Sequence, residues 1–236
     1  MNRQRIQAVF FDAGGTLFET RGSVGEIYGR AALSYGMATD PQAIQHRFIR
    51  EFRQQPPLAF PRGTPQPQLH RLEREWWRAL VQRVFADESS RPGFEQFFAD
   101  LYEFFRSREA WRLFAETVPV LEALTARGLR LGIISNFDSR LDDVLRVLEI
   151  DRYFAAVHLS SRTGAAKPDP LIFQAAVEAF AVAPSQALHT GDSWRDDVQG
   201  ALSAGLQAVW FDPADSGAPP HGTRRIVRLD QLPELI

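Results

Sequence analysis

The chain has 236 residues, of which 44% are hydrophobic and 24% charged, and its formal net charge is −2 at pH 7. This composition is that of a soluble globular protein with one large domain or a core plus a modest insert, which excludes wholesale disorder and fibrous repeats. The balanced charge argues against nucleic acid or an anionic membrane as a partner. The lack of cysteine excludes disulfide scaffolds, thiolate zinc sites and cysteine nucleophiles, and makes the cytoplasm the expected location.

The first apolar run, residues 6–11, predicts a buried strand that ends at Asp12 and enters a tight turn at Gly14 and Gly15. Asp12 cuts this run well short of the roughly 18 residues that a membrane span needs. The segment before Asp12 also lacks the long apolar stretch of a secretory signal. We therefore expect neither a membrane anchor nor a membrane partner.

The next region, from about residue 22 to residue 108, shows helical spacing of its apolar residues and no convincing strand. Residues 71–80 and 94–105 are the clearest helical segments. Between them, the proline-rich residues 56–67 predict a stiff loop. The region is interpreted as an all-helical insert.

After residue 118, short apolar strands alternate with amphipathic helices. The predicted strands are 129–135, 156–160, 187–190 and 207–211, and the predicted helices are 119–126, 138–148, 170–180 and 196–204. Residues 212–225 are predicted as a surface loop before a short final strand and the segment 229–235. This alternation indicates a parallel sheet covered by helices on both faces. The predicted organisation is an α/β core of residues 1–20 and 110–236, interrupted by a helical domain of residues 21–109.

Residues able to carry out acid, base or hydroxyl chemistry follow the predicted strands, where loops converge in such sheets. They are Asp12, Ser135 with Asn136, Lys167, and Asp192 with Asp196 and Asp197. Each has a structural alternative: a turn cap for the first, a helix N-cap for the serine, a solvated loop for the lysine and a helix N-terminus for the last two aspartates. Lys167 is also the only lysine among 27 basic residues, which suggests a site that needs a compact ammonium.

Together these groups form a coherent set. Asp12 and Asp192 are suited to hold one Mg²⁺, which favours few protein ligands completed by water and substrate oxygens. A lysine and a small hydroxyl are suited to bind the oxygens of a tetrahedral anion, and a carboxylate aimed at its central atom is a nucleophile. The set predicts phosphoryl transfer or hydrolysis through a covalent aspartyl intermediate.

Four segments resemble the motifs of the haloacid dehalogenase-like (HAD) hydrolase superfamily in order and spacing: residues 12–17 (DAGGTL), 134–136 (ISN), 167–170 (KPDP) and 191–197 (GDSWRDD). The chain looks nearest to the subgroup named haloacid dehalogenase-like hydrolase domain-containing proteins. The resemblance implies a Rossmann-like, doubly wound core with a type 1 helical cap.

The resemblance also implies roles for individual residues. Asp12 is then the nucleophile and a Mg²⁺ ligand, together with the backbone carbonyl of Gly14 and with Asp192. The shell around the metal is supported by Asp196 and Asp197. Residues implied to bind the transferring group or the substrate are Ser135, Asn136, Lys167, Gly14 and Gly15.

The chain departs from the phosphatase pattern at Gly14, where those enzymes carry a second aspartate that acts as general acid and base. Loss of such a group typically costs about 10²- to 10⁴-fold in rate. A Mg²⁺-dependent hydrolase of a small phosphorylated molecule would then need a good leaving group, or an acid from the cap.

Two other functions stay open: a non-catalytic Mg²⁺-binding module, and a metal-free 2-haloacid dehalogenase, against which the retained Asp192 argues. A phosphonate hydrolase is rejected because the insert has no lysine for a Schiff base. The motifs identify neither the physiological substrate nor the oligomeric state.

Overall fold

The computed structural model describes residues 5–217 and 222–236. In chain order the strands are β1 (Ala8–Phe11), β2 (Phe18–Thr20), β3 (Trp111–Leu113), β4 (Arg130–Ser135), β5 (Phe154–Leu159), β6 (Ala187–Gly191), β7 (Gln207–Phe211) and β8 (Arg224–Ile226). The α-helices are α1 (Val24–Leu33), α2 (Pro41–Gln54), α3 (Gln66–Val84), α4 (Phe94–Phe104), α5 (Thr117–Ala126), α6 (Leu141–Val147), α7 (Ser160–Thr163), α8 (Pro170–Ala179) and α9 (Gly200–Ser203). A π-helical segment, Trp194–Gln199, leads into α9, and a 3₁₀ segment, Leu229–Leu235, follows β8.

Six strands of the described chain form one parallel sheet in the order β5-β4-β1-β6-β7-β8. Numbered by their order along the chain, these strands follow the arrangement 3-2-1-4-5-6 of doubly wound nucleotide-binding folds. The direction of winding reverses at β1. The crevice beside such a reversal is where open α/β sheets bind ligands. The predicted α/β class and parallel sheet are confirmed.

The central strand β1 is buried on both sides, as a strand in a parallel sheet must be. Val9 and Phe11 belong to the apolar core beneath α5 and α6. Ala8 and Phe10 face the opposite core, which α8 and α9 cover, and the Phe10 ring lies 4.6 Å from that of Phe180. This double burial makes β1 a rigid base for the residues that follow it.

The helices α1 to α4 pack around a separate apolar cluster that includes Ile27, Leu80 and Phe97. A capping box between Ser23 and Glu26 starts α1. The chain passes from the sheet to this helical segment through β2 and returns through β3, and these two strands pair antiparallel. Sequence patterning did not predict this ribbon because each of its strands has only three residues.

Most predicted elements are present, with differences at their ends. The strand predicted at 207–211 has the same bounds in β7, whereas the helix predicted at 138–148 is shorter and corresponds to α6. The helix predicted at 196–204 begins earlier and is π-helical over its first six residues, followed by α9. Part of the predicted loop 212–225, residues 218–221, lies outside the described residues. Within residues 5–217 and 222–236, we find no helix with both the length and the apolar character required to cross a bilayer.

Candidate active site

Three neighbouring strands bring the predicted residues to one edge of the sheet. Asp12 follows β1, which pairs with β4 on one side and β6 on the other. Ser135 is the last residue of β4, and Asp192 directly follows β6. The backbone N–H of Asp12 donates to the carbonyl of Thr190 at 2.9 Å, which fixes the start of its turn against β6. The parallel register therefore determines that these side chains share one edge.

Lys167 lies at the centre of this edge and is buried, so the solvated-loop alternative is wrong. Its ammonium Nζ donates to Asp12 Oδ1 at 2.6 Å and to Asp197 Oδ1 at 2.6 Å. The Asn136 amide holds the loop of Lys167 in place: its Nδ2 donates to the Lys167 carbonyl at 2.9 Å, and its Oδ1 accepts from the Lys167 N–H at 2.7 Å. Asn136 thus positions Lys167.

Asp197 is buried as well, so its side chain does more than cap a helix. Besides the bond from Lys167, its Oδ1 lies 2.9 Å from Nε2 of His189, and its Oδ2 accepts from the Ser193 N–H at 2.9 Å. His189 is itself buried. The π-helical segment is the backbone feature that places Asp197 there, and such segments are frequent at functional sites.

Asp192 completes a cluster of three carboxylates. One oxygen from each of Asp12, Asp192 and Asp197 can be chosen so that all three lie within 4.8 Å of one another. Glycine permits this approach: a Cβ at Gly15, whose φ is +86°, would lie 2.8 Å from Asp192 Oδ2, and a Cβ at Gly191 would lie 2.2 Å from Asp197 Cγ. We call Asp12, Lys167, Asp192 and Asp197 the acidic floor.

Charge crowding is visible in the pKa values of the acidic floor. Burial raises the pKa of Asp12; Lys167 opposes that shift and Asp197 adds to it. Burial of the carboxylate, with repulsion from Asp12 and Asp197, raises the pKa of Asp192 to about 7, although Asp192 as a residue remains accessible to solvent. Burial alone would lower the pKa of Lys167, but its two carboxylate partners outweigh burial and raise it. Burial alone would raise the pKa of Asp197, but Lys167 and His189 outweigh burial and lower it.

Three carboxylates facing one ammonium leave surplus negative charge in a partly dehydrated site. Such a surplus is costly unless a cation or a proton compensates it. All the donors are hard oxygen atoms, which suit a small divalent cation rather than a thiophilic metal. The donor set therefore fits the metal that the sequence motifs imply.

The other predicted residues lie at or beside this edge. Ser135 is buried, and because α6 begins only at Leu141, it is not the N-cap of that helix. Gly14 lines the cavity above Asp12, and a Cβ there would meet no atom within 4 Å. Gly15 is not among the lining residues and lies against Asp192. Asp196 is half-buried and lines the same cavity.

A cavity of about 340 Å³ rises from Asp12, Ser135 and Lys167 toward the helical segment. Its upper part, which we call the aromatic wall, consists of rings from α1 to α4 and the residue after α4. They are Tyr28, Phe48, Phe52, Trp77, Phe98, Tyr102 and Phe105. Trp111 and Phe137 add rings from the core side. Trp77 and Trp111 are the tryptophans of this lining.

Sequence reasoning missed Arg140, which is buried at the junction of core and helical segment and lines the cavity. Its Nη2 donates to Asp138 Oδ2 at 2.6 Å, and its guanidinium carbon lies 4.0 Å from the Tyr102 ring centroid and 4.9 Å from that of Trp77. The indole N–H of Trp77 also donates to Asp138. The only sequence signal was an Asp-Ser-Arg run shortly after Asn136, and nothing in it predicts two aromatic partners from other helices.

Comparisons with known proteins give the family of the chain. Residues 6–205 match the haloacid dehalogenase-like hydrolase family. The chain is 30% identical over 238 residues to haloacid dehalogenase-like hydrolase domain-containing protein 3 of Danio rerio, covering 98% of this chain and 96% of the relative.

The chain is also similar, over part of its length or in fold, to two kinds of enzyme. The chain is 38% identical over 153 residues to a phosphoserine phosphatase of Thermus thermophilus, covering 63% of this chain and 59% of the relative. Its fold is similar to a solved 2-haloacid dehalogenase of Pseudomonas syringae pv. Tomato, with a TM-score of 0.68 and 26% identity over 98% of this chain and 97% of that one. The family match over most of the chain, together with the strand-end cluster, shows that the protein belongs to the haloacid dehalogenase-like hydrolases and is similar to their domain-containing subgroup.

Proposed function

We propose that this protein hydrolyses a small phosphorylated substrate in a Mg²⁺-dependent reaction that passes through a phosphoryl group on Asp12. The observation that carries the proposal is the ammonium of Lys167, which lies 2.6 Å from Asp12 Oδ1 and 2.6 Å from Asp197 Oδ1 beside Asp192. An ion-paired carboxylate at the base of a cavity suits a nucleophile, because Lys167 orients it and offsets part of its repulsion from an anionic substrate.

In this proposal Mg²⁺ would be held by Asp12, the backbone carbonyl of Gly14 and Asp192, with Asp196 and Asp197 around that shell. When bound, the ion would supply positive charge to the phosphoryl oxygens and offset their repulsion from the acidic floor. The hydroxyl of Ser135 and the ammonium of Lys167 would hold phosphoryl oxygens. The bonds that Asn136 makes to the backbone of Lys167 support a positioning role for this asparagine.

The proposed chemistry has two steps. The Asp12 carboxylate attacks phosphorus, so that a new O–P bond forms while the ester P–O bond breaks and its electron pair leaves with the organic oxygen. Water then attacks the phosphorus of the aspartyl phosphate and gives up a proton to solvent. Inorganic phosphate is released, and the Asp12 carboxylate is restored. Lys167 keeps Asp12 oriented in both steps.

The helical segment 21–109 is proposed as the cap that covers this chemistry. Its helices have an apolar cluster of their own, and their rings form the upper part of the cavity. A cover of this kind excludes water from the reacting groups and selects the organic part of the substrate. The substrate is accordingly expected to be a small molecule.

Gly14 supports a second candidate, a Mg²⁺-binding module without turnover, because no carboxyl group stands where a leaving group would be protonated. A metal-free dehalogenase is disfavoured by Asp192, since a halide leaving group gives a third clustered carboxylate no role.

A panel assay separates these functions. Acetyl phosphate, aryl phosphates, alkyl phosphates and a 2-haloacid are incubated with the protein in Mg²⁺ or in chelator. Metal-dependent phosphate release supports the proposal, and Mg²⁺ binding without release supports the module. Chelator-insensitive halide release supports the dehalogenase. Beryllium fluoride with Mg²⁺ is then expected to load Asp12, and to fail in Asp12→Asn; loading of another residue contradicts the nucleophile assignment.

A further inference from the structure

The cavity joins two chemically different surfaces. Its base is the acidic floor, whereas the residues of the helical segment that line it carry aromatic rings or aliphatic groups. Among the described residues of that segment, the lining contains no carboxylate, imidazole or ammonium group. The proposed cap therefore offers an apolar surface to whatever is attached to the phosphoryl group.

Arg140 does not change that character, because its charge is already compensated. Asp138 accepts from both Nε and Nη2 of the guanidinium, and Nη1 donates to the Tyr102 carbonyl at 3.3 Å. A second anionic group on the substrate would find this cation paired. A cationic group could not stack freely on Trp77 and Tyr102, because the Arg140 guanidinium already lies against both rings. Its carbon is 4.9 Å from the Trp77 centroid and 4.0 Å from the Tyr102 centroid. Either charge would lose its hydration without a free partner.

The aromatic wall also restricts which leaving groups the site can release. Gly14 supplies no acid, and the titratable side chains of the aromatic wall are Tyr28 and Tyr102. Burial raises the pKa of both hydroxyls, which makes them weak proton donors. An alkoxide leaving group would depart without a nearby strong acid from the cap. An aryl oxide spreads its charge over the ring and needs little protonation as the bond breaks.

We propose that the substrate of this site is a phosphate monoester of an uncharged aryl group, whose ring packs against the aromatic wall. This inference rests on the proposed phosphatase function. Phe52 and Trp77, with ring centroids 6.2 Å apart, and Phe48, 5.5 Å from Phe52, are the rings assigned to contact it. The cavity volume of about 340 Å³ lies at the lower end of the range for small-molecule sites, which suits a phosphate with one or two fused rings. The P–O bond to the ring oxygen breaks, and its electron pair leaves as the aryl oxide, which takes a proton from solvent.

The first arm of the test compares substrates. Steady-state KM and kcat are measured in Mg²⁺ for acetyl, phenyl and 1-naphthyl phosphates. Two further esters, 4-tert-butylphenyl phosphate and 4-(trimethylammonio)phenyl phosphate, have the same shape but differ in charge. A third, 4-carboxyphenyl phosphate, carries an additional anionic group. We expect KM to fall about tenfold from phenyl to 1-naphthyl phosphate, because the second ring buries more apolar surface. Both charged esters should show a KM at least about tenfold above the tert-butyl ester.

The second arm uses two substitutions on α2. Phe52 is 43% exposed and lines the cavity, whereas Ile49 is 38% exposed and does not. Phe52→Ala should raise the KM for 1-naphthyl phosphate about tenfold, a larger factor than for acetyl phosphate, which has no ring to pack against it. Ile49→Ala, the matched control, should change neither.

The outcomes separate the two proposals. Equal KM values for all esters, or a preference for a charged ester, overturn the aryl assignment; if acetyl phosphate is still hydrolysed in Mg²⁺, the phosphatase function stands. An unchanged naphthyl KM in folded Phe52→Ala also overturns the assignment. Release of phosphate from none of the substrates overturns both proposals.

Discussion

The acidic floor and the aromatic wall line one cavity but are built in different ways. The floor takes its side chains from strand ends and adjacent loops, and ion pairs of 2.6 Å fix Lys167 between two carboxylates. The wall takes one or two rings from each of several helices, held by edge and stacked contacts such as Trp76–Trp77 and Phe48–Phe52. The order and register of the strands thus bring charged side chains within hydrogen-bonding distance of one another. The packing of the helices determines the shape and polarity of the cavity above them. Substitutions in the floor should therefore affect chemistry, and those in the wall should affect recognition and stability.

The largest expected effect is in the floor, at the proposed nucleophile. Asp12→Asn should lower kcat on acetyl phosphate by at least about 10⁴-fold, because the amide cannot form the phosphoryl intermediate. Phosphate release under saturating substrate and Mg²⁺ is the measurement, with thermal unfolding to confirm folding. Substantial turnover in the folded variant would place the nucleophile elsewhere.

The next prediction compares the contribution of a buried ion pair to the free energy of unfolding with that of an exposed one. Lys167→Met should lower the free energy of unfolding at pH 7 by about 3–5 kcal/mol, because Asp12 and Asp197 would remain buried without their shared cation. Urea denaturation gives this value. The matched control is Arg78→Met, which removes the exposed pair with Glu95 and should cost at most about 1 kcal/mol. Equal costs for the two variants would contradict the role given to Lys167.

The third prediction concerns Gly14, between the floor and the wall. Gly14→Asp should raise kcat on an alkyl phosphate by about 10²-fold, since the missing acid and base is restored where a new Cβ meets no atom within 4 Å. Gly14→Asn, which has the same size but no acid, is the control and should give no gain. Equal rates for the two variants would show that leaving-group protonation does not limit turnover.

The smallest expected effect is in the wall. Trp77→Phe keeps a ring in the cavity but removes the N–H that donates to the buried Asp138, and should cost about 1–2 kcal/mol of unfolding free energy with little change in KM for phenyl phosphate. Trp76→Phe removes an exposed bond to the Pro56 carbonyl and should cost less. A large rise in KM for Trp77→Phe would mean that the whole indole ring, and not a phenyl ring alone, is needed to contact the substrate.

The sequence placed the residues of the acidic floor at one edge of the sheet because they come after predicted strands. A run of buried apolar residues marks a parallel strand, and its carboxyl end marks the edge where ligands bind, so Asp12 and Asp192 of the acidic floor and the neighbouring Ser135 were selected one by one. Their contacts were not predictable. The distances between Lys167, Asp12 and Asp197 depend on how three separate loops fold back over the sheet, and the π-helical segment that holds Asp197 has no distinct sequence signature.

The sequence by itself determined the parallel α/β core, the helical character of the segment that contains α1 to α4, and the chemical types present at the strand ends, since hydrophobic periodicity and motif spacing are local properties of the chain. Only the tertiary structure decided which rings of α1 to α4 face the cavity, and that Asp138 neutralises Arg140 among them. The physical reason is that several faces of an aromatic-rich helix are apolar, so the face that turns inward is chosen by packing against its neighbours.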